Sequence, residues 1–163
     1  MSPSPEPVMV WHTVVPQAWI DYNGHLTEGF YGVAFGEATD ELLVHLGFGQ
    51  EYRDRCGTFY TVETHIRFLR EVRQGSTIAT KSRVLGVDNK RLHLHHDLLV
   101  DEDPVPVATQ EVMLLHVSQP ADGGPPRTSL MHEPILGQSH TIAEAHATVA
   151  SPDHVGRGIQ NLR

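Results

Sequence analysis

The hydrophobic positions in the N-terminal third of the chain predict one long helix. From Leu26 to Leu46 an apolar residue recurs every four positions, which places these side chains on one face of an α-helix. The face is formed by Leu26, Phe30, Ala34, Ala38, Leu42 and Leu46, with Val33 and Phe35 beside them. Asn23 or Thr27 is suited to cap the start of this helix, and Gly47 is typical of its end.

Apolar and polar residues alternate in the rest of the chain, and this alternation predicts β-strands. The predicted strands cover residues 8–15, 58–72, 76–87, 91–100 and 105–117. In the second strand a covered face is expected from alternate residues, namely Tyr60, Val62, Thr64, Ile66 and Phe68. Residues 138–148 favour a short C-terminal helix, whereas 50–57 and 120–126 are expected to be loops.

The order of these elements predicts an α+β fold. Short turns join the last four strands, so we expect them to be antiparallel neighbours. One helix cannot cover both faces of such a sheet, and the economical solution is a curved five-stranded antiparallel sheet wrapped around it. We expect residues 8–148 to form this domain, with a flexible leader at 1–7 and a tail at 149–163. The open sheet edge favours a homodimer or a dimer of dimers.

Composition narrows the possible functions. The 163 residues suit one domain, and a formal net charge of −8 disfavours nucleic-acid binding, which needs a basic face. No apolar run approaches the roughly 20 residues that span a bilayer, and the first residues lack the features of a signal peptide. Cys56 is the only cysteine, so no internal disulfide can form. We therefore expect a cytoplasmic protein that acts on a small molecule, without a membrane or nucleic-acid partner.

The segment DYNGH at residues 21–25 carries the most specific chemistry. It places the carboxylate of Asp21 directly before the predicted helix, whose first backbone N–H groups are unpaired and attract anionic oxygen. Asp21 is a candidate base or nucleophile, and the N–H groups of residues 24–26 are a candidate oxyanion site. Together they suit acyl transfer. The alternative is that Asp21 or Asn23 only caps the helix.

Three stretches resemble the hot-dog fold acyl-CoA thioesterases of the 4-hydroxybenzoyl-CoA thioesterase type. They are WIDYNGHLTEGFYGVAFGEATDELL, TFYTVETHIRFLREVRQG and KRLHLHHDLL, and the likeness runs from Trp11 to His116. The resemblance implies hydrolysis of an acyl-CoA thioester, with Asp21 as nucleophile or general base. It places Gly24 and His25 at the helix-start N–H groups that polarise the thioester carbonyl. Asn23 is a candidate to orient water or substrate.

Within this family, the DYNGH segment, the YTVETHIRFLRE strand and the KRLH turn most resemble the betainyl-CoA thioesterases of carnitine breakdown. The sequence departs from that subgroup at Leu26-Thr27, where a Met-Asn pair is expected. Betainyl-CoA is the candidate substrate. The alternatives are other short-chain, medium-chain or aromatic acyl-CoAs, or a non-catalytic protein that binds CoA esters. No cofactor is expected, because a thioester is already activated and coenzyme A is part of the substrate.

A betainyl group is a quaternary ammonium, which aromatic faces and a carboxylate recognise. The candidate substrate-binding residues are Trp19, Tyr22, Tyr31, Tyr60 and Glu63, although aromatic residues also fill cores. The phosphate groups of coenzyme A need a cationic site. The candidate CoA-binding residues are Arg67, Lys90, Arg91 and Arg157, for which ordinary surface charge is the alternative.

Other residues are also candidate catalytic groups. Glu37 or Asp40, further along the helix, is an alternative catalytic carboxylate, as in another branch of hot-dog thioesterases. His25 with Glu37 would suit a hot-dog dehydratase, although the Pro-Gly-rich segment of those enzymes is missing. The densest histidine group lacks the pattern of a metal site, so no metal is expected. We expect its members to be exposed or at a dimer interface; they are His93, His95 and His96.

Overall fold

The computed structural model describes residues 3–162 and contains one antiparallel sheet that curls around a long helix. The strands are β1 (Val8–Val14), β2 (Thr58–Phe68), β3 (Thr77–Val87), β4 (Arg91–Val100), β5 (Ala108–Ser118) and the short β6 (Arg127–Thr128). They are ordered β1-β3-β4-β5-β2, and β6 adds to the end of β5. The helices are α1 (Glu28–His45), α2 (Gln50–Arg55) and α3 (Ile135–His146). The expected α+β hot-dog architecture is confirmed.

Helix α1 forms the centre of the fold because its apolar stripe fits the concave face of the sheet. Seven of its residues are buried, and Ala34, Phe35, Ala38 and Leu42 are completely so. Val33 was expected beside this face, but its side chain is 42% exposed. The helix ends as predicted at Gly47, whose φ of +105° is a left-handed conformation open to glycine. The Gly47 and Phe48 N–H groups bond the carbonyls of Val44 and Leu43, which closes the last turn.

Several element boundaries differ from the sequence expectation. Strand β2 ends at Phe68 rather than at residue 72, because the chain turns there towards the start of α1. Residues 50–55 form helix α2 instead of a loop. A helix of six residues with one buried side chain, Tyr52, is too short to show periodicity. Helix α3 begins at Ile135, three residues earlier than expected, after Pro134.

A β-bulge in β2 changes which side chains face the helix. The pairing with β5 shifts between Thr61 and Glu63, so Val62 has no partner of its own. Phe59 faces the core and stacks edge-on against Phe48, with ring centroids 5.5 Å apart. Tyr60 therefore points to the outer face of the sheet, contrary to the uniform alternation expected from the sequence. Beyond the bulge, Thr64, Ile66 and Phe68 face inward as expected.

The histidines of β4 lie on both faces of the sheet and are more buried than the sequence suggested. His96 faces α1 and His95 faces outward, yet both have 0% exposure. The expectation that this group is exposed is therefore wrong for these two residues. His93 is partly buried and faces outward, as strand alternation requires. Because consecutive side chains point to opposite faces of the sheet, the three histidines do not come together in one site.

The C-terminal part of the chain covers two surfaces that the helix α1 cannot reach. Helix α3 packs on β3 beyond the end of β1, where His146 accepts a hydrogen bond from the Val84 N–H group at 3.0 Å. The other ring nitrogen of His146 contacts the carbonyl of Glu6 at 3.2 Å. The segment after α3 crosses the outer face, where the Gly156 N–H group bonds the Glu111 carboxylate at 3.0 Å. Among residues 3–162, no helix is long and apolar enough to cross a membrane.

The position of His96 predicts how stability depends on pH. Its ring lies 2.7 Å from Ser82 Oγ and 3.1 Å from Thr39 Oγ1. The Thr39 hydroxyl donates to the Phe35 carbonyl, so Thr39 Oγ1 accepts from Nε2–H of a neutral His96. Burial, and then the neighbouring His95, lower the pKa of His96 from 6.5 to about 3. The unfolded state then binds one more proton between these values, and the free energy of unfolding falls as pH drops through this window.

We expect His96→Gln, which keeps hydrogen-bonding groups but does not titrate, to flatten this dependence. The slope of the unfolding free energy should decrease by up to about 1.4 kcal/mol per pH unit between pH 4 and 6.5. Urea denaturation at a series of pH values measures it. The control is His12→Gln, because His12 is exposed on β1. An unchanged slope in the His96 variant would show that this histidine is not held neutral.

Candidate active site

The loop before α1 is closed by backbone hydrogen bonds that resemble a small hairpin. The Asp21 N–H group donates to the His25 carbonyl at 2.9 Å, and Ile20 bridges Leu26. The Thr27 N–H group donates to the Trp19 carbonyl at 2.9 Å. This pairing holds Asp21 at the tip of the loop, whose other end leads through Thr27 into the first turn of α1.

The Asp21 carboxylate organises this loop with only one of its two oxygens. Oδ1 accepts hydrogen bonds from the N–H groups of Asn23 at 2.8 Å and of His25 at 3.2 Å. Gly24 has a φ of +79°, which allows the tight return of the chain. Within residues 3–162, Oδ2 makes no hydrogen bond. Asp21 is half-buried, and the residue that flanks the start of α1 is Thr27. Neither Asp21 nor Asn23 therefore caps this helix.

The N–H groups expected to form an oxyanion site are already bonded. Gly24 donates to the Asp21 carbonyl at 3.0 Å, His25 donates to the Asp21 carboxylate, and Leu26 donates to the Val72 carbonyl at 2.8 Å. This part of the expectation is wrong, because these residues belong to the closed loop and not to the helix start.

The helix begins at Glu28, after Thr27 as the N-terminal flanking residue, which the sequence offered as one of two caps. Its first-turn N–H groups, those of Glu28 and Gly29, have no acceptor within the described chain. They are the free donors that a helix start provides. The sequence signal for them was the Thr27-Glu28 pair, since Ser or Thr followed by an acidic residue is common at helix starts.

His25 and the loop after β2 form the side of this site. His25 Nε2 lies 3.6 Å from Glu71 Oε1, and Arg73 approaches the same oxygen at 3.5 Å. His25 and Arg73 also form an isolated β-bridge. Glu71, Val72 and Arg73 line a cleft of about 570 Å³. Sequence reasoning missed Glu71, because its contact with His25 arises only when distant segments meet.

The alternative carboxylates lie further along α1. Glu37 is about two and a half turns from Glu28 and accepts a hydrogen bond from Trp11 Nε1 at 3.2 Å. It therefore does not pair with His25 within one chain, as a dehydratase site would require. The side chain of Asp40 is largely exposed. Its pKa is raised, first because the carboxylate is partly shielded from water and then because Glu41 and Glu37 carry negative charge nearby.

The aromatic candidates divide into two groups. Trp19 stacks on Phe30 beside the Asp21 loop, with ring centroids 5.4 Å apart and planes inclined by 14°. Tyr22 is 97% exposed at the loop tip, while Tyr31 is buried under Phe68. Tyr60 and Glu63 lie on the outer face of the sheet, on the opposite side from α1. The five candidates are therefore not brought into one cage within a single chain.

The cationic candidates also divide into two groups. Arg67 and Arg157 line one cleft on the outer face. Lys90 and Arg91 lie at the β3–β4 turn, where Arg91 pairs with Asp88 at 2.7 Å. Hydrogen bonding from Arg91 lowers the pKa of Asp88. Arg67 pairs with Thr109 and Arg91 with Leu115 on β5, so the two groups are roughly 20 Å apart along the strand.

The sequence profile of the thioesterase-like superfamily matches residues 15–154 of this chain. The chain is 41% identical over 150 residues to a betainyl-CoA thioesterase from Pseudomonas aeruginosa. The aligned region covers 91% of this chain and 92% of that protein. It is 44% identical over 157 residues to an L-carnitine dehydrogenase/betainyl-CoA thioesterase from Agrobacterium fabrum, covering 96% of this chain but 31% of that longer protein.

A solved structure shows the same arrangement of the chain. The crystal structure of a protein from Pseudomonas putida, proposed to be a thioesterase, superimposes with a TM-score of 0.82. The two sequences are 30% identical, and the match covers 96% of this chain and 98% of the other. The fold of nearly the whole chain therefore has a structural counterpart.

Proposed function

Because the chain belongs to the thioesterase-like superfamily, we propose that it is a betainyl-CoA thioesterase that uses Asp21. The observation that carries the reaction is that one short loop bears both Asp21, whose Oδ2 makes no hydrogen bond within residues 3–162, and the unpaired N–H groups at the start of α1. The observation that favours the betainyl group is 41% identity to a relative of that name over nearly its whole length.

The reaction follows from these two sets of groups. Asp21 Oδ2 attacks the thioester carbonyl carbon or removes a proton from the water that attacks it. The N–H groups of Glu28 and Gly29 stabilise the developing oxyanion. The C–S bond then breaks, the thiolate of coenzyme A takes up a proton, and water supplies the oxygen of the released carboxylate. Asn23, whose side chain is exposed at the loop tip, is placed to orient the water or the substrate.

Recognition of the trimethylammonium group is assigned to the aromatic residues near Asp21. Tyr22 is 97% exposed, and Trp19 is partly exposed where it stacks on Phe30. Attraction of a cation to such faces contributes about 0.5–2 kcal/mol. Tyr31 supports this wall from the core, where its pKa is raised by burial and then by the charge of Glu71. The chemistry proposed here needs no metal or redox cofactor, and the cytoplasmic location stays a prediction.

The proposed assembly is a homodimer formed through β2. This strand has eleven residues and, within residues 3–162, bonds only β5, so its other edge is open. Exposed apolar side chains lie along it, namely Tyr60, Val62 and Phe68. An open edge of this length with apolar side chains favours pairing with a second copy. Such pairing would bring the partner's β2 next to the Asp21 site and unite groups that one chain keeps apart.

The substrate is tested with a pair of thioesters that differ only in charge. Betainyl-CoA and 3,3-dimethylbutanoyl-CoA have the same shape, because carbon replaces the quaternary nitrogen. We expect kcat/KM to be about tenfold higher for the betainyl ester, as measured by release of free thiol. Equal rates would exclude a cation site while leaving a thioesterase. Acetyl-CoA, a medium-chain and an aromatic acyl-CoA complete the panel, and binding without turnover of any ester would indicate a binding protein.

Asp21 is tested by two substitutions. Asp21→Ala should lower kcat by about 10²–10⁴-fold, because it removes the reacting carboxylate. Asp21→Asn should lower it as well, while its amide oxygen still accepts the hydrogen bonds of Asn23 and His25 and keeps the loop folded. Melting temperatures separate loss of chemistry from loss of structure. Full turnover by the alanine variant would refute this mechanism and point to Glu37 or Asp40.

The dimer is tested by introducing a charge on the open edge of β2. Val62→Lys should convert a species of twice the 18.1 kDa chain mass into the monomer, as measured by light scattering after gel filtration. Val14→Lys is the matched control, since Val14 is an equally exposed valine on the other edge strand, β1. Dissociation by the Val14 variant alone would place the interface at β1.

A further inference from the structure

We propose that the nucleotide phosphates of coenzyme A bind on the outer face of the sheet, between β2 and the C-terminal segment, through Arg67 and Arg157. This inference rests on the proposed thioesterase function and names the site that recognises the part of the substrate remote from the reacting bond. The cleft measures about 470 Å³. Its two walls come from segments that are distant in sequence.

The C-terminal segment is fixed on the sheet by specific contacts. The Gly156 N–H group donates to both oxygens of the Glu111 carboxylate at 3.0 Å, and His93 Nε2 approaches the same carboxylate at 2.7 Å. Burial tends to raise the pKa of Glu111, but these hydrogen bonds outweigh it and hold the pKa low. His154 Nε2 lies 2.9 Å from His95 Nε2. These contacts hold the segment in place as one wall of the cleft, with Arg157 on the side opposite β2.

The cleft concentrates positive charge in an acidic protein. Its lining includes Arg67 and His65 from β2, and Arg157 and His154 from the C-terminal segment, with Asp153 as the one carboxylate. The pKa of His154 is lowered by burial and then by the positive charge of Arg67. Basic groups are thus close enough to repel one another, although the chain carries a net charge of −8. A bound anion would relieve this repulsion.

The two arginines have no protein partner in the part of the chain that the structure describes. Arg55, Arg70, Arg73 and Arg91 all form ion pairs with carboxylates at 2.7–3.5 Å. The guanidinium groups of Arg67 and Arg157, in contrast, form no ion pair or hydrogen bond with residues 3–162, although both residues bond through their backbones. Guanidinium groups bind phosphate oxygens in a bidentate manner, which suits two free arginines on opposite walls.

The cleft is also within reach of the proposed reaction centre. Arg67 is next to the last residue of β2, and five residues later Val72 bonds Leu26 in the catalytic loop. This separation is at most roughly 17 Å of extended chain. The other cationic pair is less suited, because Arg91 is already neutralised by Asp88 and lies at the far end of the sheet.

The test compares two betainyl thioesters, one of coenzyme A and one of pantetheine, which lacks the nucleotide. Arg67→Gln and Arg157→Gln should each raise KM for betainyl-CoA about tenfold with little change in kcat. Their KM for betainyl-pantetheine should equal that of the parent protein. Both should also weaken binding of adenosine 3′,5′-bisphosphate by a similar factor in calorimetry. Arg127→Gln is the matched control, since Arg127 is an exposed arginine on β6 outside the cleft.

Each outcome decides between the possibilities. An equal rise of KM for both thioesters would indicate a structural effect and overturn the inference, as would unchanged KM values or unchanged bisphosphate binding. A larger effect of Lys90→Gln than of either arginine variant would move the site to the β3–β4 turn and overturn it too. Failure of the thioesterase proposal is distinguishable, because the parent protein would then hydrolyse neither thioester while bisphosphate binding would still report on the arginines.

Discussion

The proposed chemistry depends on one backbone hydrogen bond, from Leu26 N–H to the carbonyl of Val72. Leu26 is buried and begins the apolar stripe of α1, while Val72 belongs to the connection between β2 and β3. Their contact fixes the Asp21 loop against the end of the sheet at a point where both side chains are in the core. A carboxylate on a loop is thereby held by rigid elements on each side, which preorganised catalysis requires.

The same loop explains how Asp21 can be both structural and reactive. Its two oxygens are in different environments, since one bonds N–H groups of the loop and the other has no hydrogen-bond partner among residues 3–162. A carboxylate that stabilises its own loop is kept in one orientation, so little conformational entropy is lost when substrate binds. The start of α1 belongs to the same closed loop, because Trp19 and Thr27 are paired through the backbone.

The helices and strands whose limits depend only on neighbouring residues were predicted well from the sequence. The limits of β4 were predicted as they are found, and the end of α1 was marked by Gly47, because both depend on neighbouring residues. Features that depend on distant pairing were not accessible in this way. The bulge at Val62 reverses Tyr60 because of its register with β5, and the burial of His95 depends on a C-terminal segment far away in sequence. For the same reason, the helix start and its free N–H groups were placed a few residues too early.

The contact between His146 and Glu6 determines where additional protein can be attached. It holds the N-terminal segment beside α3, at the beginning of β1, and the seven residues of that strand separate this point from the Asp21 loop by roughly 20 Å. The C-terminal segment as far as Gln160, by contrast, lies in the cleft beside Arg67 and Arg157. An affinity tag or a fused domain would therefore be tolerated at the N-terminus, whereas the same addition at the C-terminus would compete for the surface on which the cationic cleft opens.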